Sequence, residues 1–324
     1  MNKNKSNRIT KQIVTCLIIS LLVISNTYAG RAKPPVKMTL HPSKATESAP
    51  NYRLLPEDEE LIDADAAPLY QKAVASLPAE LNVKQIGQWR QTGPDKLPQK
   101  QVQKILEQFK PSLKLLEQAA KCKRCEWTED LLQDLSEYRE IAFLLALQIR
   151  SQIAQNKYDN AIDDMQTGYT LAKNISKEPM IIPGLVAMKI SATVSGQIEY
   201  LIQEPDAPNL YNALNALPRP LIDLSGTLEN EEPDTARRVS YITNRMERQI
   251  AALQCVEALR LYASVHNGKF PDKLSDITEI KIPEDPITKK PFSYTRTGSE
   301  AILELQGTES SEGRDAIRYE LKLK

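Results

Sequence analysis

The stretch SEYREIAFLLALQIRSQIAQNKYDNAIDDMQTGYTLAKN, Ser136–Asn174, decides the fold class. In its first half Tyr138, Ala142, Leu145, Ile149 and Ile153 recur at steps of three and four. Leu131 and Leu135 extend the same stripe backwards, with Thr128 as a cap and Glu129 and Asp130 in the first turn. That spacing places all seven apolar side chains on one face of an α-helix, turned toward a core.

Helical periodicity continues on both sides. Upstream, Val102, Ile105, Leu106, Phe109, Leu113 and Leu116 form a stripe in which Pro111 is expected to break or kink the helix. Downstream, "MIIPGLVAMKISATVSGQIEYLIQ" is apolar on most sides before Ser191, as a central buried helix would be. In "EPDAPNLYNALNALPRPLIDL", Asp206 is the expected cap, Pro208 sits in the first turn, Leu210, Leu214 and Leu217 face inward, and Pro218 stops the helix. A last helix over 241–267 carries Met246, Ile250, Leu253, Val256, Leu259 and Ala263, with Asn267 or Gly268 as its left-handed cap.

Beyond it the period changes to two. Ile317, Tyr319, Leu321 and Leu323 alternate with Arg318, Glu320, Lys322 and Lys324, the pattern of a half-buried strand. "KPFSYTR" and "AILEL" read as a hairpin.

At the other end, Lys3, Lys5, Arg8 and Lys11 precede the apolar run "IVTCLIISLLVIS" and then "NTYAG". This reads as a secretory signal over 1–29, cleaved after Ala29; an uncleaved anchor is the alternative and the chain's only expected tie to a membrane. Residues 30–56 are rich in proline and small polar residues and read as an extended or disordered lead-in. The acids Glu57, Asp58, Glu59, Glu60, Asp63 and Asp65 lack the central glycine of a calcium loop and suit a solvated helix entry. The 42 basic and 42 acidic residues balance, and loss of the signal leaves about −4, so no basic field exists to attract nucleic acid.

Three resemblances follow from these residues. Asn156–Ile162, with Tyr158 before the second helix, Ala161 and Gly168 as small residues and Met165 as a bulky one, resembles a tetratricopeptide repeat, which implies close antiparallel helix packing. "CEWTEDLLQDLSEYREIAFLLALQIR" and "DAPNLYNALNALPRPLIDL" together resemble uncharacterised exported helical proteins of planctomycete-type bacteria, which implies no known activity. Gly268, Pro271, Asp285, Pro286, Pro291, Phe292 and Tyr294 resemble the helix, loop and sheet of type II secretion pseudopilins. A pseudopilin carries its helix at the extreme N-terminus behind a prepilin-type cleavage site. This chain does neither, so the likeness is to a packing unit.

Little conventional chemistry is legible. Cys122 and Cys125 form a CxxC between helices with Glu126 where a haem site needs histidine. Three cysteines with the distant His41 and His266 lack zinc spacing. A local disulfide or two free thiols remain, with Cys255 a buried structural thiol. His266 ends a helix, where a cation suits the dipole. Trp89 and Trp127 are core plugs or the lining of a groove. No Gly-x-Ser-x-Gly, Walker, dinucleotide or His-Glu-x-x-His motif occurs, so no catalytic, cofactor or metal residue is assigned.

The expectation is therefore a mainly α protein. Antiparallel, tetratricopeptide-like helix pairs should span 57–240, with a C-terminal helix and small antiparallel sheet over 241–324. The expected role is an exported, periplasmic or secreted, non-enzymatic binding or scaffolding protein with a protein or peptide partner. The alternatives are a secreted carboxylate-dependent hydrolase or an accessory factor of a pilus or secretion system.

Overall fold

The computed structural model describes residues 34–43, 52–78, 83–89, 92–127, 134–229, 231–308, 311 and 313–324. The signal segment with Ala29, residues 30–33 and 44–51 of the lead-in, and Thr128–Leu131 lie outside the described residues.

Among the described residues the chain is mainly α. The helices are α1 (Ala67–Ala75), α2 (Val83–Trp89), α3 (Gln99–Ala120), α4 (Leu135–Ile153), α5 (Tyr158–Ile175), α6 (Ile181–Leu201), α7 (Tyr211–Asn215), α8 (Ser225–Leu228) and α9 (Pro233–Val265). The strands are β1 (Val36–Leu40), β2 (Ile62–Asp65), β3 (Cys122–Arg124), β4 (Ser293–Thr297), β5 (Glu300–Leu305) and β6 (Ile317–Leu323).

The expected stripes face the core. Leu135, Tyr138, Ala142, Leu145, Ile149 and Ile153 of α4 are all buried, and so are the six apolar residues of the α9 stripe. Helices α4, α5 and α6 pack mutually, and α3 lies across α4 and α5. Helix α6 is long and apolar enough to cross a membrane, but most of it is buried inside this bundle, which makes it the central core helix. Helix α9 packs on α6 and α7 and carries the sheet. It ends with Asn267 and Gly268 both at positive φ, 54° and 67°, as its cap sequence requires.

Several expectations need correction. Pro111 lies inside an unbroken α3. It sits on the exposed side, so the lost main-chain hydrogen bond faces water while Phe109, Leu113 and Leu116 keep the apolar face buried. The short helix α7 starts at Tyr211, five residues after the expected cap; the Asn209 side chain accepts from Tyr211 N–H at 2.9 Å instead. Helix α9 begins at Pro233, eight residues before 241, with proline in its first turn. The acidic stretch before α1 contains strand β2, parallel to β3, and Asp65 accepts from Ala67 N–H at the helix entry.

The sheet is mixed rather than purely antiparallel. Its order is β1-β6-β5-β4, and β1 runs parallel to β6. Strand β1 comes from the lead-in, where Met38 and Leu40 alternate with Lys37 and Thr39 and enter the core. One face of the sheet buries Leu40, Leu303, Leu305, Tyr319 and Leu321 toward the helices. The other bears charge ladders such as Lys37–Glu320 and Arg318–Glu304. This is the two-sided pattern read in Ile317–Lys324.

Two buried arginines on α9 bolt this assembly together. Arg248 donates through Nε and Nη2 to Asp285, at 3.2 and 2.9 Å. Its Nη1 reaches the Asp315 carboxylate and carbonyl, both at 3.0 Å, and Nη2 also reaches the Gln306 carbonyl. Arg260 binds the Glu257 carboxylate at 2.8 Å and the carbonyls of His41 and Ala207. Glu257 in turn accepts from Leu210 N–H. One arginine thus fixes the loops that bracket the sheet; the other fixes β1 and the approach to α7.

Candidate functional site

The residues singled out for repeat packing all lie on α5. Tyr158 opens α5 half-buried, and its hydroxyl donates to Asn156, which turns the chain at φ 57°. Ala161 and Met165 are fully buried. Gly168 lies where α4, α5 and α6 meet: a β-carbon there would stand 2.6 Å from Val194 Cγ2 and 3.0 Å from Leu145 Cδ2. Gly168→Ala gains helix propensity of about 1 kcal/mol but overpacks the junction by about 1–3 kcal/mol. The expected net result is a loss on the order of 1 kcal/mol, read by urea denaturation. A stabilised variant would show that the junction has room.

Cys122 and Cys125 are free and buried, as is Cys255. The chain is extended over Cys122–Arg124, and an extended chain places residues three apart on the order of 10 Å from each other, beyond disulfide reach. Burial pushes the Cys125 thiol up to about 12. This is the signature of an unreactive thiol. Beside it Trp127 stacks on Tyr70, meets Tyr138 edge-on and donates to the Asn174 carbonyl at 2.8 Å. Trp127 and the buried Trp89 are therefore core plugs.

A recess of about 350 Å³ opens at the C-terminal end of α9. Lys269, Asp272, Asp276 and Arg296 give its wall both signs of charge. His266 stacks on Tyr262 with centroids 3.8 Å apart, and its Nε2 lies 2.8 Å from Glu279 Oε1. Burial raises the Glu279 pKa, but hydrogen bonds from main-chain N–H groups and from His266 outweigh it and hold the carboxyl below its ordinary range. A histidine oriented by a carboxylate can serve as a base. Among the described residues, the lining of the recess includes no serine, threonine or cysteine.

A second cluster was invisible to sequence reading because its members sit on different helices. Asp164 of α5 is buried against α4, where it accepts from Gln152 Nε2 at 2.8 Å. Burial, reinforced by the nearby Glu117 and Asp163 carboxylates, pushes its pKa up to about 7 despite the hydrogen bond from Gln152. Burial likewise raises Glu117 of α3 and Asp163. A proton held near neutrality beside other carboxylates is the raw material of acid–base chemistry. No group of three or more His, Cys, Asp or Glu side chains among the described residues is arranged to hold a metal.

An extended exposed feature lies on α3. Lys100, Lys104, Lys110, Lys114 and Lys121 project from one side of that helix and its end, all exposed. None of the five makes an ion pair among the described residues. At about 1.5 Å per residue the row is roughly 30 Å long. No protein-family model, curated protein or solved structure matches this chain.

Proposed function

We propose that the chain is an exported, non-enzymatic binding or scaffolding protein of the cell envelope. Its antiparallel helix pairs, tetratricopeptide-like in the Tyr158–Gly168 packing, present a surface to an acidic protein or peptide partner. The exposed lysine row of α3 is the observation that carries this reading. No close ion pair among the described residues holds these lysines, although Lys114 and Lys121 lie near enough to act on Glu117. Exposed cations on a chain whose expected mature charge is slightly acidic suit long-range attraction of an acidic face. The other strongly placed charges, Arg248, Arg260 and Arg150, are all engaged inside the fold.

The test is crosslinked capture from the native envelope with wild type and with Lys104→Glu/Lys110→Glu/Lys114→Glu. The three sites are exposed, so the variant folds. One stoichiometric partner should be captured by wild type, and the variant should bind it at least about tenfold more weakly, with wild-type affinity falling as salt rises. Equal capture by both chains would overturn the lysine row as the docking surface.

Asp164 with Glu117 favours the second reading, a carboxylate-dependent hydrolase. Loss of glycan or peptide hydrolysis in Asp164→Asn would support it. The burial of the C-terminal sheet, tied to α6 through the Tyr319 hydroxyl and Glu199 at 2.9 Å, supports a cap rather than a hinged accessory module.

A further inference from the structure

We infer that β4 pairs edge to edge with β4 of a second copy of this chain, antiparallel, about a two-fold axis through Thr295. The two edges of the sheet differ. At β1 the outward Thr39 N–H is taken by Gln203 Oε1 at 3.2 Å, and the chain continues onto α9, where Ser43 N–H meets the Arg260 carbonyl. At β4 no hydrogen bond among the described residues uses the main-chain groups of Tyr294 or Arg296.

Register shows that these groups point outward. Thr297 and Glu300 close a two-residue turn at Gly298–Ser299, with Gly298 at φ 61°. The hydrogen-bonded pairs with β5 are then Thr297/Glu300, Thr295/Ile302 and Ser293/Glu304. Ser299 accepts from Leu323 N–H on the other side, which fixes the same phase. Tyr294 and Arg296 therefore offer their N–H and C=O groups to the free edge.

The stretch Ser293-Tyr294-Thr295-Arg296-Thr297 is complementary to itself. Pairing about Thr295 sets Tyr294 opposite Arg296 of the other copy, twice, which supplies about four main-chain hydrogen bonds. Within each copy the Tyr294 hydroxyl donates to the Pro271 carbonyl at 2.9 Å and the Arg296 guanidinium meets Asp272 and the Gly298 carbonyl, so these pairs are held by the main chain. Threonine faces threonine at the axis, and Ser293 faces Thr297. Natural edges are guarded by charges, and the outward faces of β5 and β6 carry Glu300, Glu304, Arg318, Glu320 and Lys322. The outward residues of β4 are only Ser293, Thr295 and Thr297, all uncharged and exposed. A five-residue contact is small, so the dimer is weak and reversible.

Sedimentation of the full chain over a wide concentration range tests this. Wild type should self-associate at high micromolar concentration. Thr295→Lys sets like charges opposite each other at the axis, as does Thr295→Glu, and each should weaken association at least about tenfold while melting like wild type. An equimolar mixture of the two should restore the dimer. Arg296→Pro removes an outward N–H together with the Arg296–Asp272 pair and should also abolish it, while Arg296→Ala, which loses the pair but keeps the N–H, should associate like wild type. A monomer at every concentration, or association unchanged in Thr295→Lys, would overturn the inference.

Discussion

Arg248→Ala lowers the unfolding free energy by about 3–5 kcal/mol, the cost of breaking a buried ion pair by removing one partner. Arg248 and both of its carboxylate partners are almost fully excluded from solvent. All five guanidinium N–H groups are used: Nε and Nη2 on Asp285, Nη2 on Gln306, and Nη1 on both acceptors of Asp315. Alanine leaves two buried carboxylates without their counter-ion. Thr288 and Ile287 N–H still serve Asp285, and Thr308 and Ser311 still serve Asp315, but these are neutral donors.

The pH dependence separates this account from a simple cavity. Burial raises Asp285 and Asp315, but their hydrogen bonds and Arg248 outweigh it, so both sit below the usual aspartate value. A depressed folded pKa contributes stability that is present above the unfolded pKa of 3.8 and is lost as pH falls below it. In Arg248→Ala the two acids lose the charge that holds them down, so acidification relieves their penalty. Urea denaturation should therefore show a gap between wild type and variant that is widest near pH 7 and narrows toward pH 3. A gap of the same size at every pH would mean that lost packing, and not the charge clasp, sets the cost.

How much of this was legible in the sequence depended on the range of each interaction. The stripes of α4 and α9, the cap at Asn267–Gly268 and the alternation of β6 are local periodicities, and each appears where its spacing places it. Pro111 misled because a local rule met a helix whose exposed side could absorb the missing bond. Strand β1 was hidden because five residues inside a proline-rich lead-in become a strand only when β6, nearly the whole chain away, offers its edge. The CxxC was loud in sequence and quiet in space, since extension of Cys122–Arg124 holds the thiols apart. The Asp164 cluster and the lysine row are the reverse case. Carboxylates from α3 and α5 converge only after the helices pack, and lysines at mixed spacings form a row only once α3 is known to continue through Pro111.

Asp164→Asn is expected to stabilise the protein at pH 8 by on the order of 3 kcal/mol and to leave it unchanged near pH 4. The sign follows from the raised pKa. Asp164 goes from 3.8 in the unfolded chain to about 7 in the fold, chiefly through burial. A raised pKa contributes stability that is complete below the unfolded value and lost as pH rises through the folded value. At pH 8 the native state therefore holds a buried carboxylate, with Glu117 and Asp163 nearby adding repulsion. Asparagine imitates the neutral acid at every pH. It also offers a second bond, because Gln152 Oε1 is buried without a partner while Gln152 Nε2 already donates to residue 164. An amide at 164 can face the Gln152 amide with both donors and both acceptors matched. The wild-type decline in stability from pH 4 to pH 8 should accordingly flatten in the variant, as read by thermal melts across that range. A less stable Asp164→Asn at pH 8 would mean that the carboxylate is wanted ionised in the fold, and would move the weight of the functional question from the lysine row to the acids of α3 and α5.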